Sequence, residues 1–145
     1  MASYRYKASG LDNVFLEGVD VVHDDSGEPV VSIPNIEGLH RAIAEAVVQK
    51  TSALTGREWR FLRTEMELTQ AQLAEIMKRE ALTISRWERA ETDIEAIADT
   101  LLRLLVIERL KLDLHLSVEQ VSRWSIAGIG GEPLRIDGSN PTAYH

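Results

Sequence analysis

The sequence predicts a mainly α protein with a small N-terminal β-hairpin. Apolar residues recur every three or four positions through much of residues 35–113, which is the period of an amphipathic helix. Three Ser/Thr-x-x-Glu/Gln patterns, beginning at Thr55, Thr69 and Ser117, are typical of helix N-termini. Before residue 34 the chain is instead rich in β-branched and aromatic residues, which favour strands.

The β-hairpin is expected within residues 1–34. Tyr4, Tyr6 and Ala8 alternate with polar residues, and "VFLEGVDVVH" has strand composition. The turn cluster "DDSGEP" separates that stretch from the short apolar run "VVSI". Because a lone hairpin is marginal in water, this one should pack against helices or another subunit.

Five helices are expected within residues 35–113, a segment that forms one helical domain. Their N-terminal signals are a capping residue in the first helix, capping boxes in the second and third, and apolar periodicity in the others. The expected starts are Asn35, Thr55, Thr69, Ala81 and Ile94, and the last pattern decays near Leu112.

Residues 114–145 form a C-terminal extension. Ser117 and Gln120 can cap one last helical turn, whereas "AGIGGEPLRIDGSNPTAYH" is rich in glycine and proline and is expected to be a flexible tail. Trp124 and Ile126 either dock on a partner or fold back on the core, and the sequence leaves both open.

Composition narrows the classes of function. The chain has no cysteine and no long apolar run, which excludes disulfides and thiolate metal sites and indicates a cytoplasmic protein that does not span a membrane. Its formal net charge of −7 argues against a general nucleic-acid coat, since phosphate affinity needs clustered Lys and Arg. Any binding to DNA must therefore be local.

No arrangement of residues points to catalysis, a metal or a cofactor. The four histidines are scattered, and Glu88 and Glu91 are interpreted as the surface of a helix end rather than as an acid/base pair. Trp59 and Trp87 lie at helical spacing from other apolar residues, so we expect them in the core. The protein is not expected to be an enzyme.

The stretch "LTQAQLAEIMKREALTISRWERA", residues 68–90, has the pattern of two short helices that cross closely. A close crossing needs a small residue in the first helix, and Ala74 supplies it. Leu73 and Met77 are four positions apart, and Ile84 and Trp87 are three apart, so each pair lies on one helical face. These four side chains are expected to point inward.

This stretch resembles the helix-turn-helix of the lambda-repressor-like, XRE-type regulators. The segments that carry the resemblance are "FLRTEMELTQAQLAEIM" and "TISRWERA", and the helix-turn-helix itself is predicted at residues 69–90. The flanks "SGLDNVFLEGV", "GLHRAIAEAV", "LTGREWRFLR" and "ADTLLRLL" are similar to a bacterial group commonly identified as antitoxins of type II toxin–antitoxin pairs. The resemblance covers about residues 4 to 110. It implies a five-helix lambda-repressor-like domain.

The resemblance also implies a function and its residues. The chain would be a homodimeric repressor that binds operator DNA and neutralises a protein toxin. Thr69 and Gln70 would contact phosphate at the start of the first helix. The second helix would contact bases. Arg86 would donate two hydrogen bonds to a guanine, and Thr83 would contact a thymine methyl group or a phosphate. The remaining implied contacts are apolar ones from Ala81 and Leu82 and cationic ones from Lys78, Arg79 and Arg89.

Two departures from the family pattern favour an alternative function. The family has Gly-Val-Ser where this chain has Lys78, Arg79 and Glu80, and the glycine after the second helix is Ala90. The following "ETD" is acidic where phosphate contacts are expected. The alternative is a protein-interaction module or inhibitor that keeps the fold without reading DNA.

Overall fold

The computed structural model describes residues 3–5, 10–11, 14–17, 21–23, 29–31, 35–123 and 134–137. The elements in chain order are β1 (Ser3–Arg5), β2 (Val14–Glu17), β3 (Val21–His23), β4 (Pro29–Val31), α1 (Ile36–Gln49), α2 (Gly56–Glu65), α3 (Gln70–Met77), α4 (Ala81–Glu88), α5 (Ala96–Arg109), α6 (Val118–Ser122) and β5 (Leu134–Asp137). The protein is therefore mainly helical, as predicted.

The chain divides into two compact units. The first contains residues 1–46 and 132–145, and the second contains residues 47–131. Helix α1 begins in the first unit, after Asn35, whose side chain accepts a hydrogen bond from the Gly38 N–H at 2.9 Å, and ends in the second. The predicted cap at Asn35 is thus confirmed.

The strands of the first unit form two sheets, so a single small N-terminal hairpin does not describe this segment. β1 pairs antiparallel with β2, and β3 pairs antiparallel with β4. β5 pairs in parallel with β2, from Val14 opposite Leu134 to Glu17 opposite Asp137. The prediction that the whole C-terminal stretch is a flexible tail was wrong at β5, because strand pairing across more than 100 residues leaves no local signal. Of the turn expected at residues 24–29, Pro29 begins β4. Residues 24–28, Tyr6, Ala8, Trp124 and Ile126 lie outside the described residues.

Helices α2, α3 and α6 each begin at a capping box. The capping boxes of Thr55 with Glu58, Thr69 with Gln72 and Ser117 with Gln120 are all present, so these three predictions are confirmed. Helix α5 begins at Ala96, two residues later than the periodicity suggested. The described residues contain six helices, of which α1 to α5 match the five expected in residues 35–113.

The core of the second unit is built around two tryptophans. Trp59 of α2 and Trp87 of α4 are buried and meet edge to face, with ring centroids 5.0 Å apart. Gly56 makes this approach possible, because a Cβ there would lie 2.8 Å from the Glu88 carbonyl oxygen and even closer to that of Trp87. The prediction that both tryptophans belong to the core is confirmed.

Candidate nucleic-acid interface

Helices α3 and α4 pack against each other, as the predicted motif requires. Each has eight residues, and α4 also packs against α2. The predicted inward residues Leu73, Met77, Ile84 and Trp87 are all buried, as is Ala74 at the crossing. Burial of this face leaves the opposite face of α4 for contacts with another molecule.

The turn between the two helices keeps its shape without glycine. Lys78 adopts the left-handed conformation at φ 58° and ψ 43°, and the next N–H, of Arg79, donates to the Ala74 carbonyl at 2.9 Å. Ala90, which stands in the second position where the family has glycine, also has φ 58°. A side chain in this region costs about 1–2 kcal/mol, so both positions are strained.

Replacing Lys78 with glycine is expected to raise the free energy of unfolding by about 0.5–1 kcal/mol. Glycine removes the left-handed strain, and the greater entropy of its unfolded chain offsets part of that gain. Urea denaturation followed by circular dichroism measures the change. The matched control, Glu75→Gly on the exposed side of α3, should lose about 1 kcal/mol, and a similar loss in Lys78→Gly would contradict the strain.

The outward face of α4 carries the residues that the sequence singled out for base contacts. Ala81, Leu82 and Arg86 are exposed, and Thr83 is partly exposed. Glu80 precedes them as the N-cap, and its side chain makes no capping hydrogen bond. Within the described part of the chain, the Arg86 side chain has no hydrogen-bond or ion-pair partner, so its guanidinium is available for a ligand.

The other predicted cations differ in how they are engaged. Arg79 pairs with Glu95 at 2.6 Å and also donates to the carbonyls of Met77 and Lys78. Arg89 pairs with Glu91 at 2.9 Å, although both side chains remain about half exposed. Lys78 is exposed. The positive charge that a phosphate would meet at this surface therefore comes first from Lys78 and Arg86.

The start of α3 offers a second place for a phosphate. The Thr69 hydroxyl oxygen accepts a hydrogen bond from the Gln72 N–H at 3.1 Å, and this bond does not use its own O–H donor. The Gln70 amide donates to Glu88 at 3.0 Å. A primary amide carries two N–H groups, so this bond fixes the orientation of Gln70 and leaves one donor for another acceptor.

Glu88 is the residue that the sequence reasoning placed wrongly. It was interpreted as the surface of a helix end, yet its side chain is only 4% exposed. Its Oε2 accepts a hydrogen bond from Arg63 Nε at 2.6 Å, and its Oε1 accepts one from Arg63 Nη2 at 2.9 Å. Arg63 also donates to the Leu68 carbonyl at 3.0 Å. We call Arg63, Leu68, Gln70 and Glu88 the Glu88 clamp, which ties α2, the start of α3 and the end of α4 together.

A second charged group, missed in the sequence, fixes α5 to the segment that follows α1. The Arg103 guanidinium is fully buried on α5, where it donates to Asp99 at 2.7 Å and to the backbone carbonyls of Val48, Lys50 and Ser52. Burial lowers the pKa of Arg103, and the Asp99 carboxylate opposes that shift. The other Asp99 oxygen accepts from the Leu54 N–H at 2.8 Å, so α5 is fastened to the segment before α2.

The described residues contain neither a membrane-spanning helix nor a group of metal ligands. None of their helices has both the length and the apolar character needed to cross a membrane. Nor do they bring together three His, Asp or Glu side chains in a group that could hold a metal ion.

Comparisons of this chain with protein-family models, with curated proteins and with solved structures gave no match. The case for a function therefore depends on the geometry of α3 and α4 and on the residues they present.

Proposed function

We propose that this protein is a sequence-specific, double-stranded DNA-binding transcriptional regulator of the lambda-repressor-like, XRE type, acting as a homodimer in the cytoplasm. The observation that carries the proposal is the outward face of α4. That face presents Arg86 from a short helix whose opposite face is fixed by Ile84 and Trp87. A helix held in this way fits the major groove, where an arginine can bind a guanine through two hydrogen bonds.

The phosphate contacts would come from both sides of that helix. Lys78 lies in the turn that precedes α4, and Gln70 is oriented by the Glu88 clamp at the N-terminus of α3. Helix N-termini bind anions through their free N–H groups and dipole. Since each copy supplies few cations and the chain carries a net charge of −7, we expect binding to be weak per copy and steeply dependent on salt.

Replacing Arg86 with alanine is expected to weaken binding to the operator about 10-fold to 100-fold per half-site, because one good arginine–guanine contact contributes that much discrimination. The measurement is a salt-titrated gel shift on DNA from upstream of the gene, against a scrambled duplex of equal length. Arg60→Ala on α2 is the matched control, since it removes another exposed arginine that lies outside the motif. Equal binding to both duplexes by the wild type would overturn the proposal.

The resemblance in sequence extends the proposal to an antitoxin that represses its own operon and neutralises a protein toxin. Co-expression with the neighbouring gene tests that extension. A toxic neighbour whose effect this chain relieves supports it, and a harmless neighbour contradicts it.

The alternative is a protein-interaction module that keeps this fold without reading DNA. The ion pairs of Arg79 with Glu95 and of Arg89 with Glu91 favour it, because they engage two of the predicted phosphate-binding cations with carboxylates. The Arg86→Ala variant separates the two functions. A regulator loses operator binding while binding to a protein partner persists, whereas a module shows no specific operator binding to lose.

A further inference from the structure

Glu80 is an exposed carboxylate at the start of α4 that the fold does not use. It is the N-cap of the helix, with φ −83° and ψ 148°, yet its side chain makes no capping hydrogen bond. The adjacent Arg79 pairs with Glu95 instead. Within the described part of the chain, the Glu80 carboxylate has no ion-pair or hydrogen-bond partner, so it is available to another molecule.

The position of Glu80 indicates which molecule that is. The N-terminal residues of a recognition helix are the ones that contact base edges in the major groove. Glu80 directly precedes Ala81 and Leu82, two exposed residues of the proposed base-contacting face. This step rests on the proposed function, because it takes α4 as the helix that enters the groove. The carboxylate of Glu80 then lies within reach of the bases and close to the phosphates.

A carboxylate in that place needs a hydrogen-bond donor. It loses water as the helix enters the groove, and a charged acceptor that is left without a donor costs free energy. Phosphates offer no donor, and the major-groove edges of guanine and thymine present only acceptors and a methyl group, whereas cytosine presents its N4 amino group. Adenine has a donor at N6 with the N7 acceptor beside it, so it fits a side chain that both donates and accepts.

We propose that Glu80 selects the operator sequence, with its carboxylate accepting a hydrogen bond from the N4 amino group of one cytosine in each half-site. Such a residue contributes specificity rather than affinity. Phosphate repels the charge on any DNA sequence, and only a site with the cytosine offsets that repulsion.

The helix geometry gives the distance between the cytosine and the guanine bound by Arg86. Glu80 and Arg86 are six residues apart, which is about 9 Å along a helix. Successive base pairs are roughly 3.4 Å apart. We therefore expect the cytosine about two or three base pairs from the guanine.

Selection of bound duplexes from a random-sequence library tests the proposal on the full chain. The wild type should favour the cytosine about 10-fold or more over the other bases at its position. Glu80→Ala should reduce that preference to less than about 2-fold. Glu80→Gln should shift it to adenine, since a glutamine side chain can bind N6 and N7 of adenine together. Both variants should keep the guanine.

The controls separate a change in sequence preference from a change in folding or in total charge. Neither substitution removes a hydrogen bond that the Glu80 side chain makes in the described fold, so both variants should remain folded, which circular dichroism verifies. Glu108→Gln removes the same charge from an exposed position on α5 and should select the same sequences as the wild type. Both Glu80 variants should bind a scrambled duplex more tightly than Glu108→Gln does, because they have lost a charge close to phosphate.

Two results would overturn the proposal and leave the proposed function in place. One is a selected site without the cytosine, and the other is a site that is the same in Glu80→Ala and the wild type. The second result is what a carboxylate that interacts only with the helix dipole would give. A wild type that selects no sequence at all would overturn both proposals. Loss of the guanine preference in Arg86→Ala, measured with the same library, supports α4 as the recognition helix independently of Glu80.

Discussion

The Asp99→Asn variant is expected to have a free energy of unfolding about 3 kcal/mol below that of the wild type. The substitution keeps the size of the side chain but removes the charge beside Arg103, whose guanidinium is fully buried. Removing one partner of a buried ion pair costs about 3–5 kcal/mol, because the other charge is left uncompensated. Asparagine can still accept the Leu54 N–H, which places the expected loss at the lower end.

The double variant Asp99→Ala with Arg103→Leu separates two contributions to the loss of stability, that of an unpaired buried charge and that of lost packing. Without the guanidinium no buried charge is left unpaired, so it should lose less than the two single variants, Asp99→Ala and Arg103→Leu, added together. Full recovery is not expected, since the carbonyls of Val48, Lys50 and Ser52 would lose their donor.

Chemical denaturation at several urea concentrations gives the free energy of unfolding for each variant. Asp93→Asn is the matched control, because it makes the same chemical change at an exposed position just before α5, and we expect it to lose about 0.5 kcal/mol or less. A loss below about 1 kcal/mol in Asp99→Asn would contradict the role given to the buried pair.

The parts of the fold that could be predicted from the sequence are those with local causes. A capping box links residues three apart, so the starts of α2, α3 and α6 could be located from Thr55, Thr69 and Ser117 alone. Helical periodicity likewise identified the buried face of α3 and α4. The left-handed residue Lys78 stands where the resembled family has glycine, although lysine itself does not favour that conformation.

The missed features depend on contacts between distant residues or on charges that lie inside. β5 pairs with β2, and Glu88 binds Arg63 from 25 residues away, so neither contact leaves a pattern in a short window. Because charged residues are expected at the surface, the burial of Arg103 was not predicted. A signal was nevertheless present: Asp99 and Arg103 are four apart and share one face of the helix with Leu102 and Val106, so that face combines apolar residues with a charge pair.

Glu88 offered a comparable signal. It stands four residues after Ile84, so it shares the face of α4 that the motif turns inward, and an inward carboxylate needs a cation. Arg63 on α2 was a candidate. The site could therefore be predicted in its outline from the motif, whereas the side chains that hold it in place required the tertiary structure.

The Glu88→Ala variant is expected to lose about 2–4 kcal/mol in the free energy of unfolding. The change removes the acceptor for both nitrogens of the Arg63 fork, and the Arg63 side chain, 14% exposed, would then be a nearly buried charge with only the Leu68 carbonyl as a partner. If the pair acts as a unit, Arg63→Ala should cost a similar amount. The double variant should then lose little more than either single change, which corresponds to a coupling energy of about 2–4 kcal/mol, close to the loss of one single change.

The same variant separates the structural role of Glu88 from its positioning role. Gln70→Ala removes one hydrogen bond of the fold, from Gln70 to Glu88, together with the proposed phosphate contact, so it should change the free energy of unfolding by less than about 1 kcal/mol while weakening operator binding. Glu88→Ala, assayed at low temperature where circular dichroism shows that it is still folded, should weaken binding at least as much, since Gln70 then loses the group that orients it. Operator affinity that falls with Gln70→Ala but is unchanged in folded Glu88→Ala would show that the clamp stabilises the fold without positioning Gln70.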